Sequence, residues 1–362
     1  MPTLLKSSRL FSDELLNRYR QQGDAPADAV VTAVTEAGGP ASLRAMMTWL
    51  ADTADFSLEN QPESVRAFFA DYGNLPDWAD EQRMARGMAF FKKYAGKIGL
   101  TLGCFSLPYC YLGANGAQVL WLTERIKNDT TRRLQETGEW VYGVNNPKEW
   151  VALPPAPAAT ADQPKGGAGI ENTGLPLAIS RTLKIRLIHA GARWFALHSG
   201  RWNMDWGYPV NQEDMAGTNL AFSYVVLRGL RRLEGDGSAT EREEEDYLHH
   251  INVIAHINGV ADELLPANLR EAYQLDRSIA RRQFTTSEAG MGLTRSLLNA
   301  IASVVGISGD RPEAARNLAA AQMRFFLGDD YADTLGIPAV PVEKRIVNLV
   351  SRLPIFPNTF PR

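Results

Sequence analysis

The chain has 362 residues, of which 45% are hydrophobic and 22% charged, so it can bury a sizeable core in one large domain with extensions. Its net charge of −3 excludes a general attraction to nucleic acid or to an anionic membrane surface. Its two cysteines, Cys104 and Cys110, do not suggest a disulfide framework.

Residues 1–75 are predicted to form a helical extension without a motif that indicates chemistry. The first residues lack the long apolar run of a secretory signal, so we expect a cytoplasmic protein. Helices are expected over 12–19, 25–37 and 42–54, with a break at Gly38-Gly39-Pro40 between the last two.

A long apolar stretch follows a predicted helix over 78–97. Residues 98–123 contain no charged residue, which raises the question of a membrane-spanning helix. Because Pro108 and the segment 113–116 divide this stretch, we instead predict two buried helices that meet at a turn. Such helices would form the wall of an apolar cavity for a cofactor or a substrate.

Residues 181–223 are the segment around which we expect the chain to be organised. A helix is predicted over 181–197, where leucines and aromatic residues recur at helical spacing, and a tryptophan-rich connector follows it. Asn211 is the expected N-cap of a second helix that continues to Gly229.

His189 lies inside the first of these helices, one turn from Arg186 and one turn from Arg193. A histidine on a rigid helix among apolar residues can ligate a metal through one ring nitrogen and hydrogen-bond through the other. From the residues alone, the more frequent case is a half-buried histidine that is satisfied by a backbone carbonyl.

The strings IRLIHAGAR and WGYPVNQEDMAGTNLAFS resemble the signature of the rubber-oxygenase catalytic domain family, and the resemblance extends from about residue 85 to about residue 300. The family includes the bacterial latex clearing proteins and the fungal oxygenase that cleaves a prenyl chain in mycophenolic acid biosynthesis. The resemblance implies an all-α, globin-like core that binds one b-type haem (iron protoporphyrin IX). Its HA-x-x-R motif would make His189 the iron ligand and Arg193 a cofactor-binding residue.

A second motif of the latex clearing proteins, R-x-x-K-T, is matched only in part. Arg133 and Thr137 stand at the arginine and threonine positions, whereas Glu136 replaces the lysine. The resemblance makes Arg133 and Thr137 residues that orient oxygen, with Arg133 also near the cofactor. An ionised Glu136 cannot donate a hydrogen bond, so it would act as a base, ligate iron or turn away. Gln118 and Glu124 are imperfect counterparts of the family's catalytic glutamate.

Other histidines lie on a helix that a capping box of Thr240 and Glu243 is expected to open. A histidine cluster can bind metal, but no second ligand group with diagnostic spacing accompanies this one, and the paired Glu-x-x-His elements of a di-iron bundle are absent. The cluster comprises His249, His250 and His256. We keep His256 as the second choice for the haem ligand and His198 as the third.

The expected organisation is therefore a helical extension over 1–75, a haem-binding oxygenase-like domain over 76–310, and C-terminal helices with a Pro-rich tail over 311–362. Within the central domain, residues 151–177 are predicted to be a flexible loop rich in Pro and Gly, either a lid or an inert insertion. Further helices are expected over 264–282, 283–305, 312–327 and 342–353.

The function implied by the resemblance is oxygen-dependent oxidation of a small lipophilic substrate, with cleavage of a carbon–carbon double bond in an isoprenoid-like molecule as its concrete form. The alternatives are a haem protein that senses or stores a ligand without turnover, and a peroxide-dependent haem enzyme on the same scaffold. The oligomeric state is not determined by the sequence.

Overall fold

The structure, a computed structural model, describes residues 8–122, 125–152, 174–235, 239–305 and 312–341, together with 343 and 347. Within these ranges the predicted all-α class is confirmed, since the only β-type pairing is one isolated bridge between Gly113 and Phe284. The helices are α1 (Asp13–Arg20), α2 (Ala25–Ala51), α3 (Glu63–Tyr72), α4 (Glu81–Thr101), α5 (Leu107–Tyr111), α6 (Ala117–Leu122), α7 (Arg125–Val144), α8 (Leu177–His198), α9 (Gln212–Phe222), α10 (Tyr224–Glu234), α11 (Glu241–Ile257), α12 (Leu269–Gln283), α13 (Glu288–Val305), α14 (Pro312–Leu327) and α15 (Asp329–Thr334).

The first two N-terminal helices form where the sequence predicts them, whereas α3 (Glu63–Tyr72) was not predicted. Ser12 caps α1 by accepting a hydrogen bond from the backbone N–H of Leu15. The two helices expected over 25–54 are the two arms of α2, which is interrupted at Gly39 (φ 68°, ψ −167°). Glycine adopts a backbone conformation with positive φ at little energetic cost, because it has no Cβ. The Gly-Gly-Pro break therefore allows the chain to change direction there.

The described part of the apolar stretch, residues 98–122, folds as two helical arms that meet at a turn, as predicted. The first arm runs from the end of α4 through a π-helix (Leu102–Ser106) into α5, and the second is α6. Pro108 lacks an N–H and its ring would clash with the carbonyl of Cys104 in a regular α-helix, so the wider π turn accommodates it.

The second helix of the central segment differs from its prediction. Asn211 is its N-cap, with its side chain accepting from the N–H of Asp214, but the helix does not continue to Gly229. It ends at Ser223, whose ψ of −85° is not helical, and α10 begins at the next residue. The Ser223 hydroxyl donates to the carbonyl of Asn219, the kind of local side-chain bond that competes with the helix and bends it.

The core consists of helix pairs that meet around α8 and α11. α2 packs along α8, α4 packs along α11, and α13 packs on α14, with α11 also contacting α8, α9 and α12. The capping box of Thr240 and Glu243 is present at the start of α11. Since α11 is buried along most of its length, it is the element on which the other layers are assembled.

None of the helices, in the part of the chain that the structure describes, is both long and apolar enough to cross a membrane. Glu124, residues 153–173 and most of the helix expected over 342–353 lie outside the described residues. The domain boundaries after 75 and 310 stay predictions.

A buried carboxylate, that of Glu213, joins three helices. We call Glu213 and its partners Arg20, Arg282 and Gln283 the clasp. The Glu213 side chain on α9 is fully buried and accepts hydrogen bonds from Arg20 of α1 (3.1 Å), from Arg282 of α12 (2.7 Å) and from Gln283 (3.1 Å). An ionised carboxylate can accept several such bonds at once, so the two guanidinium groups and the amide offset its desolvation. The N-terminal helix is thereby tied to the centre of the fold.

We expect Glu213→Gln to destabilise the protein by about 2–3 kcal/mol, because it removes the fully buried charge that Arg20 and Arg282 share and leaves each arginine with only its second carboxylate, Asp214 or Asp13. Urea unfolding followed by circular dichroism measures the change. Glu36→Gln, on the exposed side of α2, is the matched control and is expected to change stability by less than about 0.5 kcal/mol. Equal stability of the two variants would contradict the clasp.

Candidate functional site

The candidate site lies on α8, in the segment that the sequence singles out. The helix begins after Pro176, ends before Gly200 (φ 67°), and buries a face that includes Leu183, Leu187 and Ala190. His189 adjoins this face. Its side chain is partly exposed overall, but its Nδ1 atom is inaccessible and has no hydrogen-bond partner. The alternative in which a backbone carbonyl satisfies this nitrogen is therefore not what the structure shows.

The surroundings of His189 keep its imidazole neutral. Its pKa is lowered to about 4, mainly by burial and also by the positive charges of Arg193 and Arg133, whereas Asp24 acts in the opposite direction. A neutral imidazole retains a lone pair on one nitrogen, which is the form that binds a metal ion. At neutral pH the ring is therefore a competent ligand.

The two arginines that flank His189 fasten α8 to the start of α2. Arg186 donates from Nε and Nη2 to both oxygens of Asp24, at 2.6 and 2.9 Å. Arg193 donates from Nε to Asp28 Oδ1 at 2.6 Å and from Nη1 to the carbonyl of Val210 at 3.2 Å. We call these two ion pairs, Arg186–Asp24 and Arg193–Asp28, the α2–α8 straps. They hold the turns before and after His189 in place.

Close backbone approach makes the straps possible. Gly259 has a φ of 87°, and a Cβ there would lie 2.2 Å from Asp24 Oδ2 and 2.6 Å from Arg186 Nε. A Cβ at Gly23 would likewise lie 2.7 Å from Asp28 Oδ2. Both positions require glycine, since a side chain would displace the ion pairs.

Arg193, expected from the resemblance to bind the cofactor, is almost entirely buried and belongs to a strap. Its Nη2 atom is nevertheless buried without a hydrogen-bond partner among the described residues. Arg193 and His189 therefore each present one unsatisfied nitrogen on neighbouring turns of α8.

Arg133 is brought to His189 by the antiparallel packing of α7 on α8. Near one end of the pair Trp140 donates to the hydroxyl of Thr182, and towards the other end Arg133 acts electrostatically on His189 and on Tyr111. The Arg133 side chain is exposed. Its guanidinium therefore lies at the rim of the site, within electrostatic range of the histidine.

Glu136 and Thr137 lie one turn further along α7 and are both partly buried. Glu136 Oε1 accepts from Nε of Arg132 at 2.8 Å, an i,i+4 pair on the helix surface. Of the imperfect glutamate counterparts, Gln118 is partly buried and its amide lies 3.4 Å from the carbonyl of Ala114.

The other four histidines have partners. His198 Nδ1 donates to the carbonyl of Trp194 and stacks on its ring, and His256 Nδ1 is 2.6 Å from Asp262. His249 Nε2 accepts from the N–H of Asp80. His250 is fully buried, donates from Nε2 to the carbonyl of Val144 and leaves Nδ1 without a partner. Among the described residues, no three His, Cys, Asp or Glu side chains converge on a metal position.

Sequence reasoning missed the acidic half of the straps. Asp24 and Asp28 are one turn apart at the start of α2, and Arg186 and Arg193 are two turns apart on α8. Two acidic and two basic residues on separate helices are the signal that the sequence offers, and the separation of more than 150 residues hides it.

Three comparisons place the chain among known proteins. Residues 111–353 match the family described as ER-bound oxygenase mpaB/B′/rubber oxygenase, catalytic domain. The chain is 24% identical over 338 residues to the rubber oxygenase of Streptomyces sp. (strain K30), covering 90% of this chain and 73% of that protein. A structure of latex clearing protein LCP in the closed state matches with a TM-score of 0.67 and 20% identity, covering 93% of this chain and 83% of that one. The structural likeness shows that the fold is shared.

Buried His250 gives the apoprotein a testable pH dependence. Burial lowers its pKa to about 3. Between pH 6.5 and about 3, this histidine is therefore protonated in the unfolded chain but neutral in the folded chain. The contribution of His250 to the free energy of unfolding is fully present above pH 6.5. It is lost as the pH falls, by up to about 1.4 kcal/mol per pH unit.

We expect His250→Gln, whose amide can still donate to the carbonyl of Val144, to reduce the dependence of the free energy of unfolding on pH. The reduction should correspond to the uptake of about one proton fewer on unfolding. Urea unfolding of both proteins from pH 4.5 to 7.5 measures it, and parallel curves for the variant and the wild type would refute the assignment.

Proposed function

Because this chain belongs to the family of the mpaB and rubber-oxygenase catalytic domain, it is an oxygenase, and we propose that it works with one b-type haem held by His189. The observation that carries the proposal is the buried, neutral, unpartnered imidazole nitrogen of His189. A buried polar atom without a partner costs about 1–3 kcal/mol, and ligand binding beside it is a recognised reason to retain one.

The residues around His189 fit an anionic iron porphyrin. His189 offers a neutral ring nitrogen, and Arg193 on the next turn has an unsatisfied guanidinium nitrogen. Arg133 adds a positive charge at the rim. Cationic donors of this kind complement the two carboxylates of protoporphyrin IX, since an arginine–carboxylate hydrogen bond is charge-assisted.

When bound, the haem iron supplies the dioxygen-activating chemistry. The chain's own contribution begins with the straps, which fix the turns on either side of His189 and so set the direction of its ring. Arg133 donates hydrogen bonds from the rim and favours negative charge that develops near it. Thr137, one turn along α7, adds a hydroxyl that can both donate and accept.

Glu136 is the local acid or base of this proposal. Its carboxylate is held by Arg132 along α7, so it must leave that partner before it can take a proton from a substrate. Position 136 cannot supply the donor that the lysine of the R-x-x-K-T motif would provide, because an ionised carboxylate only accepts.

We propose a small lipophilic substrate, isoprenoid-like or otherwise unsaturated, that is oxidised at a carbon–carbon double bond. The support is the uncharged stretch 98–123, which contributes buried side chains to the core from both of its arms, among them Leu100, Leu112 and Val119. α6 and α7 both pack against α8, the helix of His189. An apolar wall of this kind binds a hydrocarbon at about 25 cal/mol per Å² of buried surface.

The haem assignment predicts that His189→Ala loses most of the bound haem while keeping its helical content. Haem occupancy is measured from the Soret absorbance and from the pyridine haemochrome after identical reconstitution. His256→Ala is the matched control and should retain haem, since the His256 ring is paired with Asp262. His250→Gln is the second control, because His250 also has a buried ring nitrogen without a partner, and it too should retain haem if His189 is the ligand. Full haem occupancy in the His189 variant would move the ligand to another residue.

The substrate assignment predicts oxygen-dependent formation of aldehydes or ketones from short prenyl alcohols or unsaturated lipids. The haem-loaded protein is incubated under oxygen with catalase present, so that products made from peroxide do not contribute. Polyisoprene latex is the comparison substrate, and we expect at least about tenfold lower turnover per double bond on it. Efficient release of carbonyl-ended oligomers from latex would reject the small-substrate proposal while leaving the haem assignment intact.

A further inference from the structure

A second polar site lies between α13 and α14, apart from the helix of His189. A cavity with a volume of about 60 Å³ is lined there by seven residues, two of which are arginines, Arg295 and Arg316. The remaining lining residues are Met291, Leu298, Leu335, Gly336 and Pro338.

Neither of the two arginines has an acidic partner among the described residues; Arg316 is partly buried, whereas Arg295 is exposed to solvent. Arg316 Nε is buried and makes no hydrogen bond, and neither guanidinium forms an ion pair within the described ranges. The nearby carboxylates of Asp329 and Asp333 are both bound by Arg324. A guanidinium offers only donors, so the cavity has donors and positive charge but no matching acceptor.

Residues 335–338 form one side of the cavity and are held in place by hydrogen bonds from Arg324. Arg324 donates to the carbonyls of Pro338 (2.9 Å) and Ile337 (2.6 Å), which holds residues 335–338 over α13 and α14. The backbone N–H groups of Gly336 and Ile337 are used within the same turn, by the carbonyls of Asp333 and Ala332. The space is therefore bounded by helices on one side and by this segment on the other, and the buried polar atom left unsatisfied in it is Arg316 Nε.

We propose that this cavity is an oxyanion-binding site that takes a phosphate group, either as the free ion or as the headgroup of an amphiphile. A water molecule needs about 10–15 Å³ of such space, so 60 Å³ holds about four to six water-sized units, which is the size of a tetrahedral oxyanion. Two guanidinium groups around a phosphate form charge-assisted, bidentate hydrogen bonds. Such a ligand would satisfy Arg316 Nε.

The site is independent of the haem assignment, so its test uses the full-length protein without reconstitution. Inorganic phosphate is titrated against chloride at equal ionic strength, with binding followed by calorimetry and by the melting temperature. We expect phosphate, but not chloride, to bind and to raise the melting temperature, because a ligand that binds only the folded state stabilises it.

Arg316→Met and Arg295→Met should each weaken phosphate binding by about tenfold or more, the effect of losing a charge-assisted hydrogen bond. Arg242→Met, which removes an exposed arginine of α11, is the matched control and should bind as the wild type does. Arg316→Lys should give intermediate affinity, since it keeps the charge and loses the planar fork. Circular dichroism confirms that each variant is folded.

Dodecyl phosphate, used below its critical micelle concentration, distinguishes the two sources of the oxyanion. Binding at least about tenfold tighter than inorganic phosphate, and dependent on Arg316, would identify an amphiphile headgroup, with the alkyl chain lying on the apolar lining. Equal affinity would identify the free ion. The proposal is overturned if phosphate and chloride act alike on the wild type, or if all the variants respond to phosphate as the wild type does.

Discussion

The α2–α8 straps are the interaction on which the site depends. Each places a guanidinium of α8 on a carboxylate at the start of α2, and together they fix the turns before and after His189. Burial of such pairs adds little net stability over apolar packing, because the desolvation of the charges offsets their attraction. Their contribution is one of position. A helix held only by apolar contacts can shift or rotate slightly. Two directional ion pairs, in contrast, define both the position of the helix along its axis and its rotation about that axis.

The signature string around residues 206–223 has a structural role in this molecule. Its Gln212 donates to the carbonyls of Gly23 and Gly259 and accepts from the N–H of Ala261, so one amide joins both chain segments that carry the strap glycines. Glu213 closes the clasp with Arg20 and Arg282. These contacts explain why the string identifies the family well and says little about the substrate, since it specifies the frame that positions α8 rather than groups that touch a ligand.

Much of the fold could be predicted from the sequence because its signals are local. The Ser12 and Asn211 caps, the Gly39 break and the capping box of α11 each act within about four residues of the chain. The break at Ser223 was missed because the residues on both sides have good helical periodicity, and the deciding contact is a single serine hydroxyl. The straps and the clasp could not be predicted for a different reason. Their partners are far apart in the sequence and are brought together by tertiary folding, and many other pairs of opposite charges could be paired equally well from the sequence alone.

The charges around His189 follow from the same arrangement. Three arginines lie near the ring, and two of them, Arg186 and Arg193, are balanced by the strap carboxylates. The balance is not complete, because Arg193 and Arg133 still act to lower the histidine pKa while Asp24 opposes them. A small positive excess of this kind has two consequences for the proposed function. It adds to the effect of burial, which is the main reason that the pKa of His189 is low and its imidazole neutral, and it favours a cofactor that carries negative charge at its edge. Removing the straps would therefore alter the electrostatics around His189 as well as its geometry, so the acidic start of α2 belongs to the candidate site as much as α8 does.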